Sequence, residues 1–136
     1  MATTLTNLGV AYGNLGDHAK KRDVLEHALA INERAYGRDH AQVATTLTNL
    51  GGAYGALGDH AKARDILERA LAINERAYGR DHANVASTLF NLGMAHGNLG
   101  DNAKKRELLE RALPIYTRTG HRMTKKCQKH LAKLAS

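Results

Sequence analysis

Asp39-His40 and Asp81-His82, two of the five acid–histidine dipeptides in this chain, are residues whose types and spacing could do chemistry. A carboxylate beside an imidazole is half of the arrangement in which an acid orients a histidine as general base. The other half is missing: Ser87 has no matched base, and no glycine-rich phosphate loop follows a strand pattern. His121, Cys127 and His130 would supply nitrogen and sulfur ligands, but their spacing fits no metal-site pattern. Catalytic residues, metal and cofactor are therefore all expected to be absent. The dipeptides have a simpler explanation. Each ends the string AINERAYGRDHA, which occupies 30–41 and recurs letter for letter at 72–83. A motif copied with its surroundings at a fixed offset is expected to be architectural.

The elements that must position these residues follow from that offset. Residues 1–42 and 43–84 are identical at 35 of 42 positions, differing at 1, 10, 14, 21, 24, 27 and 42. A third copy runs in frame from Val85 through Ile115. A period of this size marks a solenoid whose units bury their apolar faces on one another. Val43, Leu47, Leu50 and Tyr54 fall at i, i+4, i+7 and i+11, one face of a helix. Ala63, Ile66, Leu67, Ala70, Leu71 and Ile73 mark a second helix. Gly58 and Gly79 are read as stops, with Asp59 and Asp81 as the caps that follow. The pattern predicts helices over 2–14, 18–36, 41–56, 60–78, 83–98, 102–118 and 122–135. Pro114 lies inside the sixth, where it removes a hydrogen bond and is expected to bend it.

Composition agrees. Of 136 residues, 43% are hydrophobic, with no Trp, one Phe and many Leu and Ala, which favours closely packed helices over a sheet. A single cysteine excludes an internal disulfide and suits a reducing compartment. With no membrane-length apolar run and no signal-peptide pattern, the expected location is cytoplasmic. The net charge of +7 is uneven. Residues 1–42 and 43–84 each carry five basic and five acidic side chains, whereas 85–136 carries ten basic and three acidic.

Leu47, Leu50-Gly51, Tyr54, Gly58, Ala63, Leu67 and Ala70 stand at the spacing of the tetratricopeptide repeat signature, which this unit resembles. Copy one offers Leu5, Leu8-Gly9, Tyr12, Gly16, Lys21, Leu25 and Ala28; copy three offers Leu89, Leu92-Gly93, His96, Gly100, Lys105, Leu109 and Ala112. Lys21 and Lys105 replace the usual small residue, and His96 the usual aromatic. The 42-residue period and the GRDHANVASTLFNLG run are similar to the repeats of kinesin light chains, with Ala83 where proline is usual. The resemblance implies an all-α, right-handed α-α superhelix of three helix pairs plus a C-terminal capping helix. As a single repeat domain it would comprise repeats 1–42, 43–84 and 85–119 and a basic cap at 120–136. The near identity of the first two copies fits a recent duplication or a designed array, and the start at Met1 within the repeat frame fits a fragment or a designed protein.

The same resemblance implies a concave groove lined by the first helices, and a protein-interaction scaffold rather than an enzyme. The matching positions are Thr3, Thr6, Asn7, Val10, Gly13 and Asn14, then Thr45, Thr48, Asn49, Gly52, Gly55 and Ala56, then Ser87, Phe90, Asn91, Met94, Gly97 and Asn98. No charge occurs among them. The recurring Asn7, Asn49 and Asn91 could bond the backbone of an extended peptide. Gly13, Gly55 and Gly97 each weaken a helix by about 1 kcal/mol, which is explained either by a ligand approaching the backbone or by helix packing. Phe90 and Met94, one turn apart, are candidates for an apolar anchor site. Related grooves that clamp a C-terminal carboxylate use cations that these positions lack. Arg122, Lys125, Lys126, Lys129 and Lys133 are a second candidate, for anions, although a solvated face on a capping helix is the plainer reading. No aromatic residue is interleaved with them, so nucleic acid is not an expected partner. The uncapped first pair leaves self-association open.

Overall fold

The computed structural model describes residues 2–135, with side chains over 5–134. Those residues form seven helices and no strand: α1 (Ala2–Asn14), α2 (His18–Tyr36), α3 (Ala41–Ala56), α4 (His60–Tyr78), α5 (Ala83–Asn98), α6 (Asn102–Thr119) and α7 (Met123–Ala135). Neighbours in sequence pack as antiparallel pairs, α1 with α2, α3 with α4 and α5 with α6, and α7 packs on α6. None of these helices is long and apolar enough to cross a membrane. α6 runs on through Pro114, which sits on its exposed side.

The expected apolar faces are the buried ones. Val43, Leu47 and Leu50 of α3 and Ala63, Leu67, Ala70 and Ile73 of α4 are at most 4% exposed. One core runs from α4 through α5 and α6 to Cys127 of α7, with Met123, Leu131 and Leu134 packed against it. Within each pair the turn is built alike. Asp59 accepts from the Lys62 amide at 3.2 Å, and Asp17 and Asp101 do the same for Lys20 and Lys104. Gly58 holds φ +87°, a conformation that side chains rarely adopt.

Between pairs the cap differs from expectation. Histidine, not aspartate, caps α3 and α5: His40 Nδ1 accepts from the Gln42 amide and His82 Nδ1 from the Asn84 amide, both at 3.1 Å. His82 has the extended backbone of a cap (φ −82°, ψ 150°), and its ring stacks on Tyr78 at 4.6 Å. Tyr36 and His40 stack likewise at 4.7 Å. An imidazole Nδ1 accepts a hydrogen bond as a carboxylate does, and the tyrosine four residues earlier selects the histidine for the position. His121 repeats the device at α7, accepting from the Met123 amide at 3.0 Å beside Tyr116. The repeated Asp-His pair is therefore a helix start whose working residue is the histidine.

Side chains tie one pair to the next. Arg69 donates to the Arg38 carbonyl at 2.9 Å and lies 3.5 Å from Glu33; one repeat on, Arg111 lies 3.6 Å from Glu75. Tyr54 donates to Glu26 at 2.5 Å. Burial and then this carboxylate push the phenol up to about 12. His96, at the matching place in α5, lies 3.4 Å from Glu68 but is not aligned as a hydrogen bond. Deeper in the same interfaces, Asn32 donates to Thr46 at 2.8 Å and Asn74 to Thr88 at 3.1 Å, all four side chains at most 4% exposed.

Candidate binding groove

Two recesses follow one another along the groove between α3 and α5. The first, about 190 Å³, is lined by Thr45, Thr48 and Asn49 of α3, Asn84 and Ser87 of α5, and Asn74 of α4. Further along the same helices, a larger recess of about 440 Å³ is walled by Gly51, Gly52, Gly55 and Ala56 of α3 and Phe90, Asn91, Met94, Ala95 and Asn98 of α5. His60, Ala63 and Leu67 of α4 complete the wall beside α3, and Lys126 of α7 stands at its edge.

Of the residues singled out in the sequence, the structure thus brings Gly52, Phe90, Asn91, Met94 and Asn98 around one space, and Thr48 and Asn49 around the next. Neither recess reaches Thr6, Asn7 or Asn14 of α1; Thr6 is half-buried and the two asparagines are exposed. The side chain of Thr3 lies outside the described residues. Thr48 is committed to the scaffold: its hydroxyl lies 3.0 Å from that of Thr88 and 2.9 Å from the Ala44 carbonyl. Asn98 Nδ2 lies 3.4 Å from His60 Nδ1, and both residues line the larger recess.

Phe90 is not the projecting anchor that its position allowed. It is 5% exposed, packed edge-on against His130 at 5.7 Å, with the Lys126 ammonium 5.7 Å from its ring centre. Two turns of α7 cover it, so it contributes wall rather than a contact point, and the half-buried Met94 is the apolar side chain left facing the groove. The groove is also less neutral than its first-helix positions imply, because α7 brings a cation that sequence adjacency to α5 could not reveal. Lys126, Lys129 and Lys133, at i, i+3 and i+7, share one exposed side of α7, Lys125 is exposed beside them, and Arg122 is exposed in the turn before the helix. The opposite side of α7 carries Cys127, fully buried, whose thiol donates to the Leu109 carbonyl at 3.4 Å. Burial pushes that thiol up from its ordinary range. His130 is pushed down by burial and then by Lys105, Lys133, Lys126 and Lys129. Among the described residues no cluster of three or more histidine, cysteine or acidic side chains could hold a metal.

The three groove glycines separate into two kinds. A Cβ on Gly13 would lie 2.8 Å from Lys21 Cδ, and one on Gly97 would lie 2.5 Å from Lys105 Cδ. At those two glycines the space a Cβ would take is occupied by the chain's own lysine stem. A Cβ on Gly55 or Gly52 would meet nothing within 4 Å.

A stack of helix pairs with a groove between its first helices is a protein-docking architecture. The family model for the tetratricopeptide repeat matches residues 1–76 and 51–118, and the chain belongs to that family. Its fold is the right-handed α-α superhelix, with three pairs and a capping helix. Nearly identical TPR-like repeats of kinesin-light-chain type from Podosopora anserina superpose with a TM-score of 0.86 at 24% identity, over 97% of this chain and 64% of that one. BtubC (BKLC) from P. vanneervenii gives 0.77 at 30% identity, over 88% of this chain and 48% of that one. The first TPR of Spaghetti (RPAP3), bound to the HSP90 peptide SRMEEVD, gives 0.75 at 20% identity, over 98% and 92%. The chain therefore spans about half to two thirds of the length of the first two. No curated protein matches it.

Proposed function

We propose that this chain is a non-enzymatic docking module that holds an extended segment of a partner protein in the groove between α3 and α5. The observation that carries the reading is the succession of the 190 Å³ and 440 Å³ recesses along the same two helices. From residue 45 to residue 56 a helix advances about 16 Å, which matches about five residues of extended chain. Asn49 and Asn91, half-buried in the linings of the two recesses, offer amide donors and acceptors to its backbone. The peptide held by the Spaghetti repeat supports the mode of binding, though not the ligand.

The test is a peptide-display selection on the purified chain, repeated with Asn49→Ala plus Asn91→Ala. Peptides that are enriched by the parent and lost by the double variant, with an unchanged melting temperature, support the groove. Selection of the same peptides by both proteins overturns it. Binding that falls steeply with salt would instead assign the contact to the cations of α7.

A second reading rests on the other end of the stack. Leu8 and Leu15 are 43% and 81% exposed, whereas Leu50 and Leu92, which match Leu8, are 1% and 2% exposed under the preceding pair. Residues 1–16 carry no charged side chain, so side chains of two copies can abut there without like-charge repulsion. A sedimentation mass that rises with concentration, and no longer does so in Leu8→Lys plus Leu15→Lys, would support a homotypic contact; a constant monomer mass would reject it.

A further inference from the structure

The larger recess exists because the second repeat is small where its neighbours are large. Only seven positions distinguish the first two copies, and three of them fall on this one wall: Val10 becomes Gly52, Asn14 becomes Ala56 and Lys21 becomes Ala63. The third copy is again large at all three, with Met94, Asn98 and Lys105. In the first and third repeats the side of the glycine is filled by the methylenes of the chain's own lysine, Lys21 against Gly13 and Lys105 against Gly97. In the second repeat the short, buried Ala63 does not come within 4 Å of the side of Gly55, which stands open.

We infer that this notch is a specificity subsite for one unbranched, uncharged aliphatic side chain of the partner, of which methionine is the ordinary example. The inference rests on the groove-docking reading and names what the groove selects. Shape comes from the sister repeats, where an unbranched stem already lies along the corresponding glycine. The walls facing that stem are apolar: Ala63, Leu67, Met94 and Ala95, with the edge of Phe90. Branching at Cβ would bring a methyl against the α3 backbone. Charge is decided by what is missing and what is near. No carboxylate lines the recess, and Lys126 stands at its edge, so an incoming ammonium would have no anionic partner and one repelling neighbour. Lys21 shows that cost within the chain itself: burial alone holds its ammonium below the usual lysine range. Asn91 and Asn98, at the rim, are placed to bond the backbone on either side of the inserted residue.

The test uses N-acetyl methylamides of methionine, norleucine, valine and lysine, titrated into the isotopically labelled full chain while the Gly52 and Gly55 amide resonances are followed. Methionine and norleucine are expected to shift both resonances. Valine and lysine are expected to bind about tenfold more weakly or worse, the scale of a misplaced methyl group in a fitted pocket. Ala63→Lys, which rebuilds the pairing of the other two repeats, should abolish the shifts. Should that variant lower the melting temperature, Gly52→Val, whose new Cβ enters open space, serves as the second plug. Equal binding of all four probes, an absence of shifts at Gly52 and Gly55, or unchanged binding in a folded plugged variant overturns the subsite. Display-selected peptides that bind both plugged variants but not Asn49→Ala plus Asn91→Ala would sink the notch and leave the groove standing. Peptides indifferent to all these changes would sink both.

Discussion

Asn74 of the second repeat donates its side-chain amide to the hydroxyl of Thr88 in the third, 3.1 Å away and beyond the reach of solvent. Thr88 in turn touches Thr48 at 3.0 Å and the Asn84 carbonyl at 3.3 Å, so one hydroxyl joins three helices. Thr88→Val keeps the shape and orphans the amide. It is expected to cost about 1–3 kcal/mol, the usual penalty for a buried polar group left unpaired. Thr46→Val should do the same through Asn32. Adding Asn74→Leu to Thr88→Val should recover part of the loss. Urea denaturation of the single and double variants measures this, and a single variant as stable as the parent would show that the bond contributes little.

Gly51 and Gly93 hold the same place in successive repeats but in different surroundings. A Cβ on Gly51 would lie 2.5 Å from Leu67 Cγ, in a side chain that is 1% exposed; on Gly93 the nearest atom is 3.4 Å away. Gly51→Ala should therefore overpack the α3–α4 contact and cost about 1–3 kcal/mol. Gly93→Ala should be neutral or gain some of the roughly 1 kcal/mol that alanine offers a helix over glycine. Thermal melts of the two variants compare them directly, and equal losses would contradict the difference in packing.

What could be read from the sequence divides along a physical line. Helix ends within each pair were legible because glycine and aspartate act within a turn of chain, whereas the caps between pairs are made by histidine and not by the aspartate expected; the apolar period fixed which faces are buried. The roles of Asn32 and Asn74 were not: each lies in the repeated string and looks like a polar surface residue until its threonine arrives from fourteen positions away. Phe90 was misjudged for the same reason, since α7 returns over it only in three dimensions. The recess beside Gly55 could have been suspected, because three of seven copy differences replace Val, Asn and Lys by Gly or Ala, but only folding gathers positions 52, 56 and 63 onto one wall.

The histidine caps make a contrast between neighbours. His82→Ala removes both the bond to the Asn84 amide and the stack on Tyr78, and is expected to cost about 1 kcal/mol for the cap with a smaller term for the exposed ring contact. His82→Asn should retain most of the cap. Asp81→Ala should change stability by no more than about 0.5 kcal/mol, as an exposed position outside the cap. If Asp81→Ala were the costlier of the two, the assignment of the working residue would be reversed.

His130 supplies the pH dependence that can be isolated most cleanly. Its imidazole is half-buried against Phe90, and burial first, then the ammonium groups of Lys105 on α6 and Lys133, Lys126 and Lys129 on α7, depress its basicity below the ordinary value of 6.5. The folded chain therefore binds this proton less readily than the unfolded chain does. Its contribution is fully present above pH 6.5 and is lost as the pH falls through that value toward the lower folded pKa. Melting temperatures of the parent and His130→Gln, measured from pH 7.5 to 5, should converge in slope only at the upper end, with the parent falling faster below about 6.5. High salt should shrink the difference by screening the lysines. Parallel curves throughout would mean that docking of α7 does not feel the protonation of His130.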